Sequence, residues 1–134
     1  MKRILIDTSA FSRFLLGDTD TLDCIDRAEE VRMSVIVLGE LFAGFRGGSK
    51  CEQNSSLVRE FLDDPVVAVA EVSVETAEVF GEVKHQLKKA GTPLPINDVW
   101  IAAQCLEAGA VLLTYDRHFT QVPGLRIWRN SEKG

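Results

Sequence analysis

The chain has 134 residues, 46% of them hydrophobic, and its 20 acidic and 15 basic residues give a net charge of −5. That size and apolar share predict one domain over residues 1–134 that buries roughly two-thirds of its extended surface, and they exclude a disordered chain. No apolar run approaches the roughly 20 residues of a bilayer span, and the apolar run after Lys2-Arg3 is too short for the core of a signal peptide, so the expectation is a soluble, cytoplasmic protein without a membrane partner.

In chain order, the first strand is expected over Arg3–Ile6, and it runs into Asp7-Thr8-Ser9, residue types preferred at helix N-termini. Phe11, Phe14 and Leu15 recur at helical spacing and read as core, dimer or partner contacts. Arg32–Ile36 reads as the second strand, followed by a helix in which Leu38, Leu41, Phe42 and Phe45 repeat at i, i+3, i+4, i+7. Gly39 and Gly44 weaken that helix by roughly 1 kcal/mol each, which predicts that something approaches its face closely. Gly47-Gly48-Ser49 reads as a turn between two helices.

Val66–Ala70 is the third expected strand, and Ala77, Phe80, Val83 and Leu87 mark a longer helix. After the rigid loop Thr92-Pro93-Leu94-Pro95, Asn97 is the expected N-cap of a helix that turns Ile101, Ala102, Cys105 and Leu106 inward and ends near Gly109. Val111–Thr114 and Leu125–Trp128 complete the strands, with Trp128 expected in the core. The strands are mostly continuous apolar runs, as strands covered on both faces are. Strands alternating with helices predict an α/β fold, a central parallel sheet of about five strands sandwiched by helices.

The three cysteines, Cys24, Cys51 and Cys105, form no paired-thiol motif, which argues against a disulfide framework or a zinc knuckle. Cys105 reads as a small core residue. The two histidines, His85 and His118, read as surface or loop residues.

Four acids carry the chemistry: Asp7, Glu40, Asp98 and Asp116. Asp7 ends the first strand and Asp116 follows the strand at Val111–Thr114, while Glu40 and Asp98 lie early in two helices. Singly, each has an ordinary explanation. Asp7 and Asp116 can cap the segments they precede, Asp98 suits the positive end of a helix dipole, and Glu40 can be a solvated surface group. Together they meet at the carboxyl edge of one sheet, where open α/β folds build their sites. Carboxylates without basic partners repel one another, and such a cluster persists best around a hard divalent cation bound through oxygen. The chemistry expected is phosphodiester hydrolysis by a water that the cation acidifies, with Asp7 and Asp98 closest to the ion. Glu40 and Asp116 would bind through water, orient the nucleophile or complete a second metal site. Of the 20 acidic residues, setting these four aside leaves 16 against 15 basic ones, so the acidic excess lies mostly in the site. Arg13, Arg46 and Arg117 stand near the site-bearing segments as candidates for steering phosphates.

The ordered pattern resembles the PIN-domain ribonucleases, and specifically the VapC toxins of bacterial and archaeal toxin–antitoxin pairs. The resemblance runs from Ile4-Leu5-Ile6-Asp7-Thr8-Ser9 through Ser34-Val35-Ile36, Glu40-Leu41 and Gly44. It is most specific between Ile96 and Leu125, in Asn97-Asp98, Ile101-Ala102-Ala103, Gly109, Thr114, Asp116, Phe119 and Pro123-Gly124-Leu125. It implies a PIN-like α/β/α sandwich and a Mg²⁺- or Mn²⁺-dependent endoribonuclease. It further implies RNA as substrate, a homodimer, and a VapB-type antitoxin whose C-terminal segment covers the site. By the same resemblance Asp7, Glu40, Asp98 and Asp116 are the metal-binding quartet and Thr114 is the hydroxyl residue beside it. Two departures stand out: Val37-Leu38-Gly39 precedes Glu40 where a Thr is common, and Tyr115 stands where an Arg is frequent.

Other readings fit less well. A non-catalytic receiver-like domain wants paired acids after its first strand and a lysine after its last, whereas Asp7 stands alone and Arg129-Asn130 follow Trp128. An aspartyl phosphatase wants Asp-x-Asp, and position 9 is Ser. An RNA-processing PIN nuclease without a toxin role shares the same site.

Overall fold

A computed structural model describes residues 3–128. Four strands, β1 (Arg3–Ile6), β2 (Glu30–Ser34), β3 (Val67–Ala70) and β4 (Val111–Leu113), form a sheet in the order β3-β2-β1-β4, with every pair parallel. Parallel neighbours need crossover connections, and six helices supply them. These are α1 (Thr8–Leu15), α2 (Thr19–Arg27), α3 (Val35–Arg46), α4 (Cys51–Leu62), α5 (Val74–Ala90) and α6 (Ile96–Ala108). The α/β architecture is therefore as expected, with four strands rather than five. The segment expected as a fifth strand touches the sheet through a single parallel bridge, Leu112 to Ile127, with Trp128 N donating to Leu112 O at 2.9 Å.

The strand runs are buried because the sheet is covered: Ile4, Leu5, Ile6, Val31, Met33, Leu112 and Leu113 are fully enclosed. Trp128 is only partly buried, its ring edge-on to Tyr115 at 6.4 Å. Strand order reverses at β1. The chain builds outward from β1 to β2 and β3, then returns to place β4 on β1's other side. The gap at the carboxyl ends of β1 and β4 is the topological switch point, where the loops on either side diverge and leave a crevice.

Several boundaries shift for local reasons. The expected strand Arg32–Ile36 ends at Ser34, because the Ser34 hydroxyl accepts from Ile36 N at 3.0 Å and starts α3 there. In α5 the inward stripe is Thr76, Val83 and Leu87, with Phe80 partly buried and Ala77 exposed. Thr76 turns inward because it shares a capping box with Ser73 and donates to Glu107 Oε1 at 2.6 Å. The expected N-cap Asn97 lies inside the first turn of α6 instead; Pro95 occupies the cap with no side-chain hydrogen bond. Proline's fixed φ and missing N–H make it tolerable at that boundary. Gly109 closes α6 at φ 63°, a left-handed conformation that costs glycine no Cβ clash. Cys105 is fully buried in α6, and burial pushes its thiol up to about 12.

One buried polar link sets α6 against the sheet. The Ser34 hydroxyl donates to Gln104 Oε1 at 2.5 Å, and Gln104 Nε2 donates to Ala70 O at 3.0 Å. The ends of β2 and β3 are thereby tied to the middle of the helix that carries Asp98. Gln104 is 2% exposed, so water cannot replace these bonds. Gln104→Leu keeps the volume and strands the Ser34 hydroxyl and the Ala70 carbonyl. It is expected to lower unfolding free energy by about 2 kcal/mol, read as a lower urea midpoint at unchanged m-value.

Candidate active site

Asp7 sits at the carboxyl end of β1, its N–H donating to Leu113 O on β4 at 3.2 Å. Its side chain is 4% exposed and fully engaged. Oδ1 accepts from Ala10 N at 2.9 Å, which caps α1, and from Ser9 Oγ at 2.8 Å, while Oδ2 accepts a short hydrogen bond from Thr114 Oγ1. The capping expected of Asp7 is therefore present, and it leaves the carboxylate at the carboxyl end of the sheet. Thr114 Oγ1 also accepts from Asp116 N at 3.0 Å, and Ser9 Oγ accepts from Tyr115 N at 3.1 Å. Hydroxyls from α1 and from the end of β4 thus stitch the crevice across the switch point.

Asp116 caps the 3-10 turn Arg117–Gln121, its Oδ1 accepting from His118 N at 2.9 Å and lying 2.8 Å from His118 Nδ1. Glu40, half-buried on α3, accepts from Thr8 Oγ1 at 2.5 Å through Oε1 and from Asn97 Nδ2 at 3.3 Å through Oε2. Asp98 follows in the first turn of α6, partly buried, and accepts no hydrogen bond among the described residues.

The four expected acids and Thr114 are brought to the same end of the sheet: Thr114 bonds Asp7, and Asp98 lies near enough to Asp116, Glu40 and Asp7 to feel their charges. Burial first, then the charges of Asp116, Glu40 and Asp7, push the Asp98 carboxyl from 3.8 up to about 6, with His118 pulling it back. Burial also raises Asp7, against the hydrogen bonds from Thr114, Ala10 and Ser9 and with a further push from Asp116. The acids converge without closing up. Among the described residues no three His, Cys, Asp or Glu side chains are drawn together tightly enough to form a coordination shell. Like charges keep their distance, and Asp7, Glu40 and Asp116 each turn toward a neighbouring donor. The donor set still fits a hard divalent cation: four carboxylates, none in a salt bridge with Lys or Arg among the described residues.

Besides Ser9, which bonds Asp7, three further participants were not expected from sequence. Thr8 and Asn97 hold Glu40, and His118, read as a surface or loop residue, grips Asp116. Asn97 lies beside Asp98 and Thr8 beside Asp7, and that adjacency is the one signal that could have raised them. Tyr115, standing where an arginine is frequent in the resembling family, bonds Thr21 Oγ1 at 2.8 Å and carries Arg13 over its ring at 3.9 Å. Arg13 is thus held by an aromatic face rather than free to swing. A Cβ at Gly39 or Gly44 would meet no atom outside its own helical turn within 4 Å, so among the described residues nothing makes the close approach expected there.

The folded pKa of Asp98 lies above its unfolded value near 3.8, so the folded chain holds the extra proton up to about pH 6. Stability of the metal-free protein then declines as pH rises through that window. In chelator, the melting midpoint is expected to fall between pH 4 and pH 6. Asp98→Asn should flatten that decline and raise the midpoint at neutral pH; a lower midpoint for the variant would contradict the crowding.

The PIN domain family model matches residues 4–125. Ribonuclease VapC2 of Rickettsia felis is 29% identical over 115 residues, 85% of this chain and 84% of the relative. Ribonuclease VapC1 of Haemophilus influenzae strain R2866 is 32% identical over 102 residues, 75% of this chain and 74% of the relative. Among solved structures, VapBC2 from Rickettsia felis bound to a promoter DNA fragment superposes with a TM-score of 0.83 at 23% identity, covering 94% of this chain and 97% of that one. DNA-bound VapBC from Salmonella typhimurium gives 0.84 at 24%, covering 96% and 98%. These superpositions establish a shared fold. A parallel sheet with acids gathered at its switch point, and a family match running from the first strand to Leu125, lead to one assignment: the chain belongs to the PIN-domain family, in its VapC branch.

Proposed function

We propose that residues 1–134 act as one PIN-like unit, a Mg²⁺- or Mn²⁺-dependent endoribonuclease that serves as the toxin of a VapBC-type pair in the cytoplasm. The observation that carries the reading is the gathering of carboxylates: burial and the charges of Asp116, Glu40 and Asp7 push Asp98 up to about 6, and none of the four acids forms a salt bridge with a lysine or arginine among the described residues. The relatives named ribonuclease VapC supply the substrate class, and the VapBC complexes among the structural neighbours supply the kind of partner.

Asp7 and Asp98 would hold the cation most directly, with Glu40 and Asp116 completing its surroundings. When bound, the cation supplies charge neutralisation at phosphorus and acidifies water for in-line attack. Thr114, Ser9 and the Ala10 amide fix the Asp7 carboxylate and favour its ionised form, offsetting part of the rise that burial causes. Thr8 and Asn97 hold the Glu40 carboxylate, one at each oxygen. An acidic mouth of this kind suits a basic C-terminal segment of a VapB-type antitoxin, which would cover it. A homodimer is the proposed assembly.

Total RNA incubated with the purified protein is expected to be cleaved with Mg²⁺ and left intact with chelator. Asp7→Asn and Asp98→Asn should each reduce cleavage to background while circular dichroism shows the fold retained. Near-normal cleavage by either folded variant would overturn the assignment. Thr114→Val removes one support of Asp7 and leaves the carboxylate in place. It is expected to lower activity or Mn²⁺ affinity by roughly ten- to a hundredfold, the usual effect of removing a ligand's hydrogen-bond partner.

A further inference from the structure

Between α3 and α4 lies a groove of about 550 Å³ that the site does not use. Arg46 on α3 and Arg59 on α4 line it with Phe42, Ser56 and Glu52. Most arginines among the described residues are engaged: Arg3 and Arg32 on Glu30, Arg27 on Asp23, Arg13 on Tyr115, Arg126 on the Gly109 carbonyl. Arg46 and Arg59 form no salt bridge among the described residues; Arg59 only leans over the Phe42 ring at 5.8 Å. In a chain with five more acids than bases, two unpaired arginines on one groove are a local reversal of sign.

Helix geometry connects this groove to the crevice. At about 100° per residue, Arg46 stands about 120° around α3 from Glu40, on the flank away from buried Leu41 and Val37, and about 9 Å along the axis. Between the two lie Gly39 and Ala43, both exposed. A Cβ at Gly39 would meet nothing within 4 Å. The back of α3 is therefore a low ridge of small residues with the acidic site on one side and the arginine groove on the other. A bulky strand can lie across it, and the approach expected at Gly39 then comes from outside the chain.

Resting on the ribonuclease reading above, we propose that this groove is a second contact for the RNA strand, in which Arg46 and Arg59 hold phosphates beyond the one being cleaved and Phe42 offers an apolar floor. Guanidinium groups bind phosphate oxygens through paired N–H donors, and such contacts give affinity without reading sequence. They would also offset the repulsion between the acidic crevice and the polyanion.

The test separates binding from cleavage. Anisotropy of fluorescein-labelled polyuridine is measured in chelator, with polyglutamate as competitor, for the wild type, Arg46→Ala/Arg59→Ala and the control Arg27→Ala. The double variant is expected to bind roughly tenfold more weakly, with a slope of log K against log salt shallower by about 1.4, and the control to match the wild type. With Mg²⁺ and RNA substrate, its KM should rise at unchanged kcat. Equal affinity and equal KM in a folded double variant would overturn the groove and leave the nuclease standing. Absence of RNA binding by the wild type, or stronger capture of polyglutamate than of polyuridine, would also overturn it. Loss of polyuridine binding in the double variant of a chain that cleaves nothing would retain the groove and remove the nuclease reading.

Discussion

The structure turns on one buried carboxylate. Asp7 is 4% exposed, and an ionised group at that depth costs several kcal/mol unless hydrogen bonds replace its water. Its replacements come from both sides of the switch point: the Ala10 amide and Ser9 hydroxyl on α1, and the Thr114 hydroxyl just past β4. Satisfying Asp7 therefore requires β1 and β4 to pair in parallel register, α1 to start at once, and the chain after β4 to bend back over the crevice. The bonds that make Asp7 tolerable are the bonds that assemble the site.

That economy explains what could be read from the chain alone and what could not. Ile4-Leu5-Ile6 and Val111-Leu112-Leu113 were legible as strands because continuous apolar runs of that length have few other uses, and the acids following them were legible by position. The run Val35-Ile36-Val37 has the same β-branched character and yet is helical, because the Ser34 hydroxyl caps it and Gln104, seventy residues away, fixes Ser34. Leu125–Trp128 carries a strand-like pattern but meets β4 at one bridge only. Contacts made across such separations leave no local trace. The same holds within the site. The carboxylates announce themselves by chemistry, whereas Thr8 and Asn97 matter only through Glu40, and His118 only through Asp116.

Capping and metal binding are usually weighed as rival explanations of an acid beside a helix or strand end. Under the proposed function they would coincide in Asp7 and Asp116, each of which accepts a backbone N–H of the following turn through its carboxylate. Capping fixes the carboxylate's direction at no expense to its charge, so a cap is a ready way to preorganise a ligand. Asp98 differs, for it accepts no hydrogen bond among the described residues, and three like charges confront it. Part of the fold's stability is thereby surrendered at Asp98, and an arriving cation would restore it. In the proposed reaction that coupling makes Asp98 the member of the quartet most sensitive to occupancy.

Charge segregation then reconciles an acidic chain with a polyanionic substrate. A net charge of −5 spread evenly would repel RNA from every side. Instead four of the acids gather at the proposed site, where a cation would neutralise much of their charge, and α3 also lines a groove with Arg46 and Arg59, which form no salt bridge among the described residues. The Debye length in physiological salt is about 8 Å, close to the rise of about 9 Å from Glu40 to Arg46. A phosphate at Arg46 would feel the guanidinium at contact and the quartet only through screening solvent. Small residues on the intervening ridge let a strand engage both fields at once, and glycine at position 39 keeps that ridge low at some cost to the helix that carries it.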